Sequence, residues 1–389
     1  MNPAKLFNII NKNVPLLQAA LFLIALWLPT LDSFFNLDKA PWLNEKRTPA
    51  TFPEITPNIK RLLTLPAGLE AYYNDHFGFR RRLIRWEQRW KQDIFKESSL
   101  PDVMIGRDGW LFLTSMHMIE HYRGLKTFTP DELKSWQSLL EKRRDWLIQR
   151  GIKYLFVIPP DKHSAYPEYL PTWMTKMGTE TKLDQFLAYM KVHSTVEVLD
   201  FRPALFDAKK TARTYLYTDT HWNSYGGFIG YQSVMRSLML QLPDLGEPLP
   251  LEAFEFTHFQ ETGGDLSTML GQEMAEREGF QLTARPPLQF PTAAEDINIY
   301  AKKWPKYMEP FYTENPSGKF KLLMFHDSFS NAWVPFLGYH FKRVVYIWQY
   351  NWNSSVIEKE TPDVVVDEIL ERSFNVADPK KLMEEDGLP

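Results

Sequence analysis

The chain has 389 residues, a formal net charge of −3 and no cysteine. Its near-neutral balance of charge argues against a protein that binds nucleic acid through a broad basic surface. The lack of cysteine excludes disulfides, thiolate nucleophiles and cysteine-ligated metal centres, and it suits an oxidising compartment.

The first predicted element is an apolar run near the amino terminus. It extends from Val14 to Leu31, follows two lysines and is interrupted mainly by Gln18. Its length of about 18 residues is at the lower limit for crossing the hydrocarbon layer of a bilayer. Positive charge on the leading side predicts a cytoplasmic amino terminus and an exported body. We therefore expect an uncleaved transmembrane anchor over residues 1–35, with a cleaved signal peptide and a buried amphipathic helix as the alternatives.

The rest of the chain alternates predicted helices and strands. Asp108-Gly109 between two short apolar runs predicts a hairpin over 104–113, and Thr129 followed by Pro130 predicts the start of a helix over 130–150. Runs rich in Val, Ile and Leu predict strands at 153–160, 196–200 and in "KLLMFH", "RVVYIW" and "PDVVVDEIL", with helices over 180–193 and 223–241. This alternation predicts an α/β sandwich with a mainly parallel sheet. Without an internal repeat or a Gly-Ser linker, we expect one catalytic domain over residues 36–389.

Three residues carry the main chemical signal. Asp219 and His221 lie two positions apart in "YTDTHWNSYGG", and Ser328 follows a predicted strand in "LLMFHDSFS". A serine where a strand turns into a helix can present its hydroxyl beside backbone N–H groups, although it can equally be only an N-cap. A serine nucleophile needs a near-neutral base, and a carboxylate usually holds the far nitrogen of that base. The combination predicts a Ser–His–Asp triad.

A metal site and a purely structural Asp–His corner are the alternatives. The candidate oxygen and nitrogen ligands are Asp219, His221, Asp265, His326 and Asp327, but none of them belongs to a His-x-x-x-His or EF-hand spacing. The chain has neither a Walker A sequence nor a G-x-G-x-x-G loop after a strand, which argues against nucleotide binding. We therefore expect no cofactor and no metal.

Seven motifs, taken together and in order, resemble the alginate O-acetyltransferase AlgJ/AlgX family. They are "YYNDHFGFR", "IGRDGWLF", "PPDKHSAYPEYLP", "YTDTHWNSYGG", "GGDLSTMLG", "HDSFS" and "PDVVVDEILER". The resemblance extends over roughly residues 40–373 and implies a circularly permuted SGNH-hydrolase-like domain, a three-layer sandwich. It also implies Ser328 as the nucleophile, His221 as the base and Asp219 as its orienter. The family pattern is broken at His326, where SGNH proteins usually have glycine.

The same resemblance implies a function and a set of partners. The reaction would be acetyl transfer to hydroxyls of alginate or a similar exopolysaccharide, with the body in the bacterial periplasm and the amino-terminal helix in the inner membrane. The implied partners are the polysaccharide acceptor, a membrane-bound O-acyltransferase that donates acetyl groups, and other polysaccharide-export proteins. The alternatives are a carbohydrate acetylesterase with the same triad and a non-catalytic polymer-binding subunit of the export complex.

Further residues are predicted to contact substrate, with a packing role as the alternative for each. They are Trp222, Lys162, Tyr166, Arg80, Tyr346 and Trp348. Aromatic residues make up 15% of the chain, and their rings can stack on sugar faces. Gly264-Asp265-Leu266 predicts only a turn and a cap before a helix, and we assign it no chemistry.

Overall fold

A computed structural model describes residues 3–35, 37–39, 50–53, 55, 59–90, 100–259, 263–270, 279–284, 292–293 and 308–388. The chain divides into two compact units. The first comprises Met1–Ser99 with Thr268–Gly271, and the second comprises Leu100–Ser267 with Gln272–Pro389.

The first unit contains three helices in its described residues: α1 (Pro3–Phe35), α2 (Ile59–His76) and α3 (Arg80–Trp90). Asp32 organises part of this unit, because its carboxylate accepts hydrogen bonds from the amides of Asp38 and Phe79 at 2.5 and 2.8 Å. Among the residues that the structure describes, no helix combines the length and apolarity needed to cross a membrane. This finding does not support the transmembrane anchor predicted over residues 1–35.

The second unit is built on a seven-stranded sheet. In chain order, the described strands are β1 (Val103–Ile105), β2 (Leu111–Leu113), β3 (Lys153–Ile158), β4 (Val198–Asp200), β5 (Phe254–Phe259), β6 (Gly279–Ala284), β7 (Thr292–Ala293), β8 (Phe311–Glu314), β9 (Lys321–His326), β10 (Arg343–Trp348) and β11 (Val364–Glu368). The spatial order of the large sheet is β4-β3-β11-β9-β10-β8-β7. Neighbours from β4 to β10 are parallel, and β8 and β7 extend the sheet with antiparallel pairs. The mainly parallel sheet is thereby confirmed, and the predicted hairpin is the antiparallel β1–β2 pair.

Helices cover both faces of this sheet. The described helices that follow residue 100 are α4 (Met118–Tyr122), α5 (Pro130–Ile148), α6 (Lys162–Ala165), α7 (Lys182–His193), α8 (Arg202–Ala208), α9 (Ser224–Gln241), α10 (Asp265–Met269), α11 (Val334–Leu337), α12 (Ser354–Glu360), α13 (Glu371–Val376) and α14 (Pro379–Glu385). Helix α5 begins as predicted: Thr129 Oγ1 accepts from the Glu132 amide at 3.2 Å, and the Glu132 carboxylate accepts from the Thr129 amide at 2.7 Å. This reciprocal capping box fixes the start of the helix.

Alternate residues of the central strands face opposite sides of the sheet, as the two-residue period of a strand requires. In β9, Leu322 and Met324 pack into one buried cluster, whereas Leu323 and Phe325 pack into the other. Helix α9 contributes side chains to the first cluster, and α5 and α7 contribute to the second. The result is a three-layer α/β sandwich.

Candidate active site

Asp219 and His221 lie on a tight loop that leads into α9. The two ends of the loop are paired, because Tyr215 forms an antiparallel bridge with Trp222 and the Leu216 amide donates to the His221 carbonyl at 3.0 Å. After the loop, the Asn223 side chain accepts from the Gly226 amide at 2.9 Å and caps α9. The loop is thus closed at its base and fixed to a long buried helix.

Ser328 lies just beyond the carboxyl end of β9, as the first residue of a 3₁₀ helix, Ser328–Trp333. Asp327 caps this helix, because its Oδ1 accepts from the Phe329 amide at 2.9 Å. Its Oδ2 accepts from the Tyr350 hydroxyl at 2.7 Å and from the Leu370 amide at 3.2 Å. The turn that carries the serine is therefore held from the ends of two neighbouring strands.

The structure brings the three residues predicted as a triad together. His221 Nε2 lies 2.7 Å from Ser328 Oγ, and His221 Nδ1 lies 2.7 Å from Asp219 Oδ1. Because an ionised carboxylate can only accept, Nδ1 carries the proton and Nε2 is left to accept the serine hydroxyl. The imidazole packs against the Phe329 ring at a centroid distance of 4.9 Å. This is the arrangement of a nucleophile, a base and an orienting acid.

The Asp219 carboxylate is held in its ionised form. Burial opposes the charge, but the hydrogen bond and charge of His221 and the amides of Asp265 and His221 hold the pKa of Asp219 well below its usual range. The His221 amide donates to Oδ1 at 2.9 Å, and the Asp265 amide donates to Oδ2 at 2.8 Å. Both oxygens are therefore fixed in position beside the imidazole.

Asp265 has a place in the site that the sequence did not reveal, because the sequence offered it only as a metal ligand or a helix cap. Its Oδ1 accepts from the Thr220 amide at 2.8 Å, and its Oδ2 accepts from the Thr220 hydroxyl at 2.6 Å. Its Oδ2 is also 4.0 Å from His221 Nδ1. The preceding Gly264 permits this approach, because a Cβ there would lie 2.4 Å from Asp219 Cβ. The glycine pair before Asp265 was the available signal, but it indicated only a turn.

Asp219, His221 and Asp265 also form the cluster that the metal alternative requires, since their ligand atoms lie within 4.8 Å of one another. Every carboxylate oxygen of this cluster already accepts a hydrogen bond from the loop or from α10. The other two candidate ligands lie elsewhere: His326 is buried and donates from Nδ1 to the Asp327 carbonyl at 2.7 Å. Burial lowers the pKa of His326, so its ring is a neutral part of the core. The donor set fits an orienting network better than a metal site.

Three predicted substrate contacts are buried around the loop, which corrects the expectation that they face a substrate. Trp222 donates from Nε1 to the Phe329 carbonyl at 3.0 Å and forms a wall behind the imidazole. Lys162 donates to the carbonyls of Leu216 and Tyr217 at 3.0 and 3.3 Å. The Tyr166 hydroxyl accepts from the Thr214 amide at 2.7 Å. The place of these residues along the sequence does not reveal their burial, which only the folded structure shows.

The other three predicted contacts have different outcomes. Tyr346 is fully buried and stacks on Phe311 at 4.7 Å, so it is a core residue. Trp348 is half-buried at the carboxyl end of β10, with its ring 5.8 Å from that of His326. Arg80 is the first residue of α3, in the first unit. Its role, like that of Trp348, stays a prediction.

Residues 103–294 match the family described as "SGNH hydrolase-like domain, acetyltransferase AlgX". This segment is similar to an AlgX-type acetyltransferase domain. "Probable alginate O-acetylase AlgJ" of Pseudomonas syringae pv. tomato is 26% identical over 203 residues, which are 52% of this chain and 49% of that protein. The counterpart of Pseudomonas aeruginosa is 26% identical over 171 residues, 42% of this chain and 39% of that protein. The matches span about half the length of these relatives or less.

Solved structures share the fold of this chain. Bacillus cereus PatB1 superposes with a TM-score of 0.53 at 17% identity, covering 71% of this chain and 98% of that one. A DHHW family protein from Eubacterium siraeum gives a TM-score of 0.51 at 15% identity, covering 74% and 95%. With the family match, these similarities support the SGNH-like α/β fold that the motifs implied.

Proposed function

We propose that this chain is a polysaccharide O-acetyltransferase in which Ser328 is the nucleophile, His221 the general base and Asp219 its orienting acid. The observation that carries the proposal is the 2.7 Å contact between His221 Nε2 and Ser328 Oγ, with Asp219 bound to the opposite ring nitrogen. The acetyltransferase named in the matching family supports the choice of acetyl as the transferred group. The names of the curated relatives support alginate, or a similar exopolysaccharide, as the acceptor.

The reaction has two halves. In the first, Ser328 Oγ attacks the carbonyl carbon of the acetyl donor while its proton passes to His221 Nε2. The bond to the leaving group then breaks, the leaving group takes the proton, and the serine remains acetylated. In the second half, a sugar hydroxyl gives its proton to His221 and attacks the acetyl group. Ser328 then leaves as the acceptor becomes acetylated, and its oxygen recovers the proton.

The backbone amide of Ser328 is our candidate for stabilising the oxyanion of both intermediates. Ser328 is the first residue of its 3₁₀ helix, where an N–H group has no partner within the helix. The next amide, that of Phe329, is occupied by the Asp327 carboxylate at 2.9 Å. The helix start therefore offers its first amide, rather than its second, to the developing negative charge.

Hydrolysis is the reaction that competes with transfer. The His221 side chain is 30% exposed, so water can reach the acetylated serine unless an acceptor displaces it. An acetylesterase with the same three residues is therefore the second candidate function.

We also propose that the acceptor is met outside the cytoplasm, with a membrane-bound O-acyltransferase as the donor partner and other polysaccharide-export proteins alongside. Activity of a reporter fused after Pro389 tests that location.

The decisive experiment measures acetyl release and acetyl transfer in the purified chain. An aryl acetate reports acetylation of the serine, and mass spectrometry of an added oligosaccharide counts the acetyl groups it gains. Ser328→Ala and His221→Ala should abolish both signals, whereas Ser317→Ala, an exposed serine in a turn, should change neither. Equal rates in wild type and both site variants would favour the non-catalytic subunit. Release of acetyl without any gain on a panel of oligosaccharides would favour the esterase.

A further inference from the structure

The imidazole of His221 faces two carboxylates rather than one. Asp219 Oδ1 contacts Nδ1 directly at 2.7 Å, and Asp265 Oδ2 lies 4.0 Å from the same nitrogen. The second carboxylate comes from α10 and the first from the loop before α9, so the two acids belong to segments far apart in the sequence. A triad needs only one of them.

The Thr220 hydroxyl links the second acid to the base. Its Oγ1 donates to Asp265 Oδ2 at 2.6 Å, which leaves its lone pairs free to face His221 Nδ1 at 3.3 Å. The Nδ1 proton therefore lies between Asp219 Oδ1 and a hydroxyl whose own proton is held by Asp265. Negative charge on Asp265 polarises that hydroxyl and strengthens its acceptor oxygen.

The backbone reinforces the same arrangement. The Asp265 amide donates to Asp219 Oδ2 at 2.8 Å, and the Thr220 amide donates to Asp265 Oδ1 at 2.8 Å. Hydrogen bonds thus connect Asp219 and Asp265 to each other and to Thr220, so a shift of Asp265 would also shift Thr220, the residue next to His221. Such reciprocal bonds keep a site within the narrow geometry that proton transfer needs.

We propose that Asp265 is a second positioning acid for His221, acting through the Thr220 hydroxyl beside the direct partner Asp219. The inference rests on the proposed function and extends it by one residue. During attack by Ser328 the imidazole gains a positive charge, and a carboxylate 4.0 Å away stabilises that charge. The Asp265 side chain is 42% exposed, so the effect should weaken as salt concentration rises.

Among the described residues, other charged groups near the imidazole belong to the turn that carries Ser328 and to α13. Asp327 caps that turn, and the Arg372 guanidinium lies 5.5 Å from the centroid of the Phe329 ring, which packs against the imidazole. Arg372 is itself paired with Asp161 at 2.7 Å. The variants chosen to test Asp265 leave all three of these groups in place.

The test uses the intact chain and the pH profile of kcat/KM on an aryl acetate. In Asp265→Asn, Oδ1 still accepts from the Thr220 amide, but the charge and the acceptor for the hydroxyl are lost. We expect kcat to fall about tenfold and the acidic midpoint of the profile to move to lower pH, since a lost negative charge disfavours the protonated ring. KM and the thermal midpoint should change little. Thr220→Val should reproduce part of the fall in kcat. Thr220→Ser keeps the hydroxyl and should therefore retain the wild-type kcat.

Redundancy between the two acids gives a second readout. If Asp265 supports the base, Asp265→Asn should lower the turnover rate by a larger factor in an Asp219→Asn background than in the wild type. The double variant should approach the rate of His221→Ala. Asp244→Asn is the matched control, because it removes an exposed charge that pairs with Lys319 instead. It should leave the rate and the acidic midpoint unchanged.

The outcomes separate this inference from the proposed function. Loss of activity in Ser328→Ala, combined with a wild-type rate and midpoint for Asp265→Asn in both backgrounds, overturns the second acid alone. A lower thermal midpoint with an unchanged pH profile also overturns it, because that result describes a structural residue. Full activity in Ser328→Ala overturns the proposed function, and the inference with it.

Discussion

Replacing Asp327 with alanine should loosen the turn that carries Ser328. The substitution removes the acceptor for two amides, those of Phe329 and Leu370, and for the Tyr350 hydroxyl. Each buried amide left without a partner costs about 1–3 kcal/mol. The Tyr350 hydroxyl can turn to water, because its side chain is only half-buried.

One effect of Asp327→Ala should raise the free energy of unfolding rather than lower it. Burial raises the pKa of Glu368 well above its usual range, and the charge of Asp327 raises it further, so removing Asp327 makes the ionisation of Glu368 less costly. Weighing the two orphaned amides against this relief, we expect the free energy of unfolding to fall by about 2–4 kcal/mol. Activity should fall about a hundredfold at temperatures where the protein remains folded, because a displacement near 1 Å at a reacting atom has that effect.

Urea unfolding followed by tryptophan fluorescence measures the first quantity, and aryl acetate turnover measures the second. Asp378→Ala is the matched control, since Asp378 caps α14 through the amides of Lys380 and Lys381 at an exposed position. It should cost about 1 kcal/mol and leave turnover unchanged. An Asp327→Ala protein with a free energy of unfolding within about 0.5 kcal/mol of wild type would refute the reasoning.

Three further outcomes are expected. Arg143→Met should lower the free energy of unfolding by about 3–5 kcal/mol, because two buried carboxylates would lose their partner. The Arg143 guanidinium donates to Asp386 at 2.8 and 2.9 Å and to Asp367 at 2.5 Å. A urea midpoint equal to that of the wild type would contradict this. Folding lowers the pKa of Asp219, so the ionised carboxylate stabilises the folded state fully above the unfolded-state pKa of about 4. This stabilisation is lost as the pH falls below that pKa. The difference in thermal midpoint between wild type and Asp219→Asn should accordingly be largest above about pH 5 and shrink in acid, and a difference independent of pH would argue against an ionised Asp219. Treatment with a chelator should leave aryl acetate turnover unchanged, and a loss restored by added divalent metal would instead support the metal site.

The fold was predictable because its signals are local. Strand β3 is a continuous apolar run, and it ends at Ile158 because Pro159 and Pro160 follow without N–H groups for the ladder. The capping residues Thr129 and Asn223 likewise mark helix starts that a sequence reveals by itself.

The site was predictable only in part, for a physical reason. Asp219 and His221 are neighbours on one loop, and Ser328 follows a strand, so residue type and position indicate their chemistry. Asp265 joins them only through tertiary contacts with Thr220 and Asp219, and no local pattern distinguishes it from an ordinary helix cap. Burial is equally non-local, which is why Lys162 was placed at a substrate surface although its ammonium lies beneath the loop.

The close approach of Gly264 to Asp219 has a practical consequence for engineering. Because a methyl group at position 264 would lie 2.4 Å from Asp219 Cβ, the loop before α9 and the segment that opens α10 interlock as a matched pair. A random library at position 264 should yield glycine almost alone among active clones. Anyone who transplants the Asp-Thr-His loop into a different scaffold must therefore move its glycine-containing counterpart with it.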